Sequence, residues 1–301
     1  FANPMSIGMD SQCFLCHFRR NIETARPLGT EAQATEFARR LLRACLDAPE
    51  DTPSPVIGTV VSDLLLELYG VPLDRFRQEK IDSNNFVLAR MDDIRSRAES
   101  AQDPVLAALQ FAILGNYLDF AALAGKVRFE DLEKMLEQAE NYDLSGPHYD
   151  RFLQELKTAK SFVLITDNAG EVVFDRVLAE TIHRFYPEVN ITFLVRGGPA
   201  NNDALREDAD IVGIPFPVED SGLCVGGTPL HQISEKARIL LQNADMILAK
   251  GMGNTESLYN CGLPVYYAFL VKCARFEQVF NRPHLTPMFV LDGAYETKIS
   301  G

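Results

Sequence analysis

Hydrophobic positions in this chain follow two different periods. From Thr30 to about residue 159 they recur every three or four residues, as on one face of a helix. Phe37, Leu41, Leu42 and Cys45 mark such a face within residues 31–46, and Val60, Leu64, Leu65 and Leu68 mark another within residues 56–69. Pro49, Pro53 and Pro55 interrupt between them. Residues 74–100 are highly charged, with Phe76, Phe86, Met91 and Ile94 at partly helical spacing. Asp103-Pro104 reads as an N-cap followed by proline in the first turn, opening an apolar helix to about Leu123. Residues 129–139 and 148–159 complete a helical region.

Beyond Ser161 the period changes. Short runs rich in β-branched or bulky residues, 162–165, 191–195 and 246–249, alternate with amphipathic segments of helical length, and further apolar runs follow at 264–272 and 287–291. This βαβα alternation predicts a largely parallel sheet in a three-layer α/β/α, Rossmann-like domain over residues 160–301, with an N-terminal helical region over residues 1–159. The boundary is a change of pattern with no flexible linker, so the two regions are expected to pack as one unit. Residues 210–228, dense in Pro, Gly and small side chains, read as a long loop.

Each of the first three strand runs ends in a polar motif. These are Thr166-Asp167-Asn168-Ala169-Gly170-Glu171, Arg196-Gly197-Gly198-Pro199 with Asn202-Asp203, and Lys250-Gly251-Met252-Gly253-Asn254. Ligands of parallel sheets bind beyond the carboxyl ends of the strands, so the three motifs should converge on one site. Asp167, Asn168 and Asp203 offer hard oxygen ligands with no His or Cys beside them, which favours Mg²⁺ or Mn²⁺ over zinc, with cobalt or nickel as further candidates. Arg196 and Lys250 add positive charge, and the glycines, Gly251 and Gly253 among them, let backbone N–H groups approach an anion. Together these suggest a phosphate ester held for hydrolysis or transfer.

Plainer roles compete at each position. Asp167-Asn168 could cap the helix that begins near Gly170, and Asp203 could be a first-turn acid. Arg196 could brace Glu171 or Asp203, and Lys250 could be a solvated lysine. Asn116 and Asp119 lie three apart on an apolar helix and share a face, where they could hold a loop or contact substrate. Asp220 could reach a sugar hydroxyl or the metal shell, or simply serve a turn.

The three motifs, with Asn202-Asp203-Ala204, Asp220-Ser221-Gly222, Gly115-Asn116-Tyr117-Leu118-Asp119-Phe120 and Cys13-Phe14-Leu15-Cys16, resemble the damage-control metal-dependent phosphatase family, and the likeness spans most of the chain. Any one motif is weak; their order and spacing together are specific. The resemblance implies an α/β/α domain carrying a helical region and a single-metal phosphatase acting on phosphorylated metabolites. Carried over to matching positions, Asp167, Asn168 and Asp203 would hold the ion and Lys250 would contact the phosphate. Asp167 and Lys250 are then the catalytic candidates, with Arg196, Gly251, Gly253, Asn254, Asn116 and Asp220 as substrate or phosphate contacts. The residues alone leave Asp167 open as a covalent nucleophile; the resemblance favours attack by water. The cysteine pair resembles a branch of the family common in prokaryotes.

Composition narrows the alternatives. A formal charge of −13 argues against a nucleic-acid surface, yet a few local cations and an ion still suit a small phosphorylated metabolite, with sugar phosphates the expected class. No apolar run reaches the length of a membrane span, and Phe1-Ala2-Asn3-Pro4-Met5 lacks the features of a signal peptide, so a cytoplasmic protein is expected. Six cysteines with one close pair do not make a disulfide scaffold. Cys13-Phe14-Leu15-Cys16-His17 matches the c-type haem string, a reading set aside because haem attachment belongs with export. A zinc site there would need two more ligands, from His17 or Cys45, and a redox-sensitive pair is the other expectation for Cys13 and Cys16. A nucleotide- or S-adenosylmethionine-dependent transferase is the rival enzyme, lowered by the lack of Gly-x-Gly-x-x-Gly after the first strand. A metabolite- or metal-binding regulator is the non-enzymatic one.

Overall fold

The structure, a computed structural model, describes residues 6–118, 134 and 137–293. Among them, six helices precede residue 116: α1 (Ser11–Ala25), α2 (Glu31–Asp47), α3 (Ser54–Tyr69), α4 (Arg77–Leu88), α5 (Met91–Ser100) and α6 (Pro104–Gly115). Then α7 (Pro147–Leu156) leads into β1 (Ser161–Ile165), α8 (Glu171–Phe185), β2 (Asn190–Val195), α9 (Arg206–Val212) and β3 (Val218–Asp220). The chain continues through α10 (Glu235–Gln242), β4 (Met246–Lys250), α11 (Gly251–Leu258), β5 (Val265–Leu270), α12 (Ala274–Phe280) and β6 (Pro287–Leu291). The helix expected at residues 129–139 lies mostly outside the described residues, as does Asp119.

The strands form one six-stranded sheet in the order β3-β2-β1-β4-β5-β6. All pairs are parallel except β5 with β6. Strand order reverses between β1 and β4, which leaves a crevice beyond their carboxyl ends. Because both faces are covered, the strands read as continuous apolar runs, and successive residues serve opposite cores. Phe162, Leu164, Met246, Leu248, Tyr266 and Ala268 face one core, shared with α4 to α8. Val163, Ile165, Ile247, Ala249, Tyr267 and Phe269 face the other, closed by α10, α11 and α12. The first core therefore crosses residue 160 without interruption.

Helix α6 is apolar on every side and is buried from Ala107 to Gly115. Asp103 accepts the Leu106 N–H at 3.0 Å and Pro104 fills the first turn. α1, α2 and α3 build a separate small core around Phe37, Leu41, Ile57, Val61 and Leu64. The fold departs from or adds to the sequence expectations at three places. The charged stretch 74–100 becomes two helices, broken around Ala89 and Arg90, because its apolar spacing slips out of register there. The cysteine pair lies on a helix, α1, whose N-terminus Asp10 caps by accepting from the N–H groups of Gln12 and Cys13. Residues 210–228 are no continuous loop: β3 adds three residues to the sheet beside β2, too short a strand to stand out among prolines and glycines.

Candidate active site

The loops after β1 and β2 are stitched together above the sheet. Ala204 N–H donates to Asp167 O at 2.7 Å and Ala169 N–H to Asn202 O at 2.9 Å. Asn168 and Asp203 face each other as an isolated antiparallel bridge. Neither capping reading holds: α8 has Gly170, at φ 76°, as its N-cap with no side-chain acceptor, and α9 starts only at Arg206, past Asp203. Asp167, Asn168, Asn202 and Asp203 instead line one cavity of about 270 Å³ together with Gly253, Gly226 and Glu256.

Both carboxylates are held from behind. The buried Arg196 donates through Nε to Asp203 Oδ2 at 2.6 Å, and its Nη2 lies 3.6 Å from Asp167 Oδ1. Its Nη1 donates to Asn254 Oδ1 at 2.9 Å. Asn116 Nδ2 and Asn168 Nδ2 each donate to Asp167 Oδ2 at 2.8 Å. A Cβ at Gly251, where φ is 79°, would overlap the Asp167 carboxylate, so glycine alone lets β4 end this close to β1.

Lys250 does not reach the cavity. It ends β4 in phase with Met246 and Leu248, so its side chain points into the core under α6 and α8. There Nζ donates to Ala112 O at 2.8 Å, Glu171 Oε1 at 2.8 Å and Asp175 Oδ1 at 2.6 Å, which uses all three protons. Desolvation opposes its charge, but Asp175 and Glu171 outweigh it and the ammonium persists. Burial, helped by Glu171, pushes the Asp175 carboxyl up. Glu171 also accepts from Asn116 and Asn168, so this buried layer is tied directly to the residues that orient Asp167.

Other expected contacts are also away from the cavity wall. Asn116 and Asn254 are fully buried braces; Asn254 Nδ2 donates to Thr166 O at 3.0 Å and Lys250 O at 2.7 Å. Asp220 is half-buried at the end of β3, accepts the Gly222 N–H at 3.0 Å and lies 3.6 Å from Arg206. Of the cysteine pair, Cys16 lines the cavity, whereas burial pushes the half-buried Cys13 thiol up to about 12. Cys45 is in the α1–α3 core, and no three His, Cys, Asp or Glu side chains cluster as metal ligands among the described residues. A divalent ion at the cavity would thus draw on Asp167, Asp203, the Asn168 amide and water. Magnesium-like ions, which keep several waters and take one or two carboxylates, fit that donor set; zinc does not.

The sequence reading missed the opposite wall. His17, Arg20, Asn21 and Thr24 of α1, Ser54 and Thr59 of α3, and Arg75 line it. His17, Arg20, Asn21 and Thr24 recur at helical spacing, a signal that looks like an ordinary solvent face. His17 is held by Ser54 Oγ at 2.9 Å and Asn21 Nδ2 at 3.4 Å. Burial and the Arg20 charge lower its pKa to about 4, so it is neutral at physiological pH. Glu256 accepts the Ser54 N–H at 3.1 Å, and desolvation pushes its carboxyl up to about 8.

The Damage-control phosphatase ARMT1-like domain model matches residues 9–283. The chain belongs to the ARMT1-like damage-control phosphatase family. A damage-control phosphatase of Pyrococcus horikoshii is 30% identical over 259 residues, 83% of this chain and 88% of that protein. One from Archaeoglobus fulgidus is 30% identical over 221 residues, 72% of this chain and 75% of its own. An uncharacterised protein of Methanocaldococcus jannaschii is 31% identical over 283 residues, covering 89% and 90%. In fold, the crystal structure of a DUF89-family protein from Pyrococcus horikoshii superposes with a TM-score of 0.79 at 24% identity, covering 95% of this chain and 99% of that one. Membership of the damage-control phosphatases supports phosphatase activity on metabolites. No described helix is long and apolar enough to cross a membrane.

Proposed function

We propose that this chain is a metal-dependent phosphomonoester hydrolase acting on small phosphorylated metabolites, with sugar phosphates as its substrate class. The observation that carries this reading is the convergence of Asp167 and Asp203 on a polar cavity of about 270 Å³. Two braced carboxylates with an adjacent amide suit Mn²⁺ or Mg²⁺, which when bound would supply Lewis-acid charge to a phosphoryl oxygen and acidify a water. Asp167, Asn168 and Asp203 would hold it. Arg196 keeps the two carboxylates oriented from behind. The cavity volume suits a compact ester, and the neutral donors and acceptors of Asn21, Thr24, Ser54 and Thr59 match sugar hydroxyls. Glu256, protonated through much of the neutral range, adds an O–H donor to that wall.

Phosphate release from sugar phosphates, nucleotides and phosphopeptides, each with Mn²⁺ or Mg²⁺, tests the proposal. Turnover concentrated on sugar phosphates is expected. Efficient turnover confined to phosphopeptides, or no release from any ester, overturns it. Saturable nucleotide or S-adenosylmethionine binding without phosphate release would favour a transferase.

A further inference from the structure

Arg20 and Arg75 are the cations on the cavity wall among the described residues. Elsewhere in this acidic chain arginines are commonly matched: Arg40 meets Glu67, Arg77 meets Glu207 and Arg95 meets Glu180. Arg20 and Arg75 meet no carboxylate among the described residues. They are close enough that the charge of Arg20, after desolvation, disfavours the charged form of Arg75. Two partly desolvated guanidiniums that make no ion pair among the described residues gain most from an anion that enters between them.

Arg75 is also held in place. Its guanidinium lies 4.9 Å from the Phe76 ring centroid, and Nη2 donates to Asn201 Oδ1 at 3.1 Å. Asn201 takes a left-handed φ of 51° just before Asn202 and Asp203, so Arg75 is anchored to the loop that presents the Asp203 carboxylate. The basic side chains of the strand-end motifs do not line the cavity: Lys250 is spent on Glu171 and Asp175, and Arg196 is buried behind Asp203.

We propose that Arg20 and Arg75, both supplied by the helical region, form the clamp that grips the substrate's phosphoryl oxygens across the cavity from Asp167 and Asp203. The planar fork of arginine suits tetrahedral phosphate better than a lysine would. This assignment rests on the phosphatase reading but does not depend on turnover to be tested. It makes the helical region half of the binding site and leaves the strand-end loops to hold the ion.

The test is calorimetric binding of inorganic phosphate, with Mn²⁺ present, to the wild type, Arg20→Ala, Arg75→Ala and the corresponding lysine variants, alongside KM and kcat on a sugar phosphate. Each alanine change should weaken phosphate binding and raise KM roughly ten- to a hundredfold, the loss expected for a charge-assisted hydrogen bond. Mn²⁺ affinity should stay unchanged, and the lysine variants, which keep charge and fold, should recover part of the loss. A wild type that binds phosphate and hydrolyses no ester would sink the phosphatase reading while the clamp stood. Unaltered phosphate affinity and KM in folded variants, no phosphate binding by the wild type, or parallel loss of Mn²⁺ binding overturns the clamp.

Discussion

Beyond the ends of β1 and β4 the protein carries charge in two layers that use the same residue types differently. In the lower layer Lys250, Glu171 and Asp175 are fully buried, and every Lys250 proton has a protein acceptor. In the upper layer Asp167 and Asp203 are nearly as buried, but they open on a cavity whose far wall bears Arg20 and Arg75. The lower layer closes its charges on itself and fixes a scaffold, while the upper leaves opposite charges facing across space for a ligand. Asn116 and Asn168 join them, each donating both to Asp167 and to Glu171. Buried ion pairs rarely add net stability over apolar packing, so the lower layer is better understood as orienting Asp167 than as strengthening the fold.

This contrast breaks if mutations in the two layers have the same consequence. Asp167→Asn and Asp203→Asn should keep the fold and lower turnover by roughly three orders of magnitude, the several kcal/mol that metal charge stabilisation supplies. Thermal melting beside steady-state rates checks this, and a variant that turns over normally leaves the mechanism. Lys250→Met should act on stability first: it strands two buried carboxylates, costing about 3–5 kcal/mol. Denaturant unfolding reads that cost. If stability is unchanged while phosphate affinity is lost, Lys250 faces the substrate and the division between layers is wrong.

A smaller effect separates two groups of the cavity lining by pH. Glu256 titrates near 8 in the folded chain, above its ordinary 4.5, so the native state binds the extra proton and stability falls as pH rises between those values. His17, lowered to about 4 from 6.5, acts oppositely: stability rises with pH through that window. The two largely cancel where they overlap, leaving the Glu256 decline between about pH 6.5 and 8. Glu256→Gln should flatten that decline by about 1 kcal/mol, measured as the difference between variant and wild-type unfolding curves. An unaltered slope would mean that Glu256 is solvated. Smallest of all, Cys13→Ser with Cys16→Ser should change turnover only a few-fold, since soft sulfur is not needed by an ion that prefers oxygen. An inactive but folded double variant would join the thiols to the chemistry.

Much of this was written in the sequence where local chemistry and period coincide. Parallel strands buried on both faces leave unbroken apolar runs, and Asp103-Pro104 announces α6. The convergence of Asp167 and Asp203 follows from strand-end position alone. Lys250 was harder, because its direction depends on the phase of β4: in step with Met246 and Leu248 it must enter the core. Glu171 and Asp175, four apart on one helix face, were the hint that a buried counter-charge was required. Arg20 and Arg75 were illegible because they come from elements far apart in sequence, and only tertiary packing turns the polar stripe of α1 into a cavity wall. Asp220 misled for a local reason, since β3 is too short to show where its end would point.

The central claim, that Asp167 and Asp203 hold a divalent ion which drives phosphate release, is tested most directly by stripping the protein with a chelator and titrating Mn²⁺ back while following phosphate release from a sugar phosphate. No release from the stripped wild type, saturable recovery with Mn²⁺, and no recovery in Asp203→Asn at the same concentrations are expected. Release that is independent of added metal, or that recovers equally in Asp203→Asn, would contradict it.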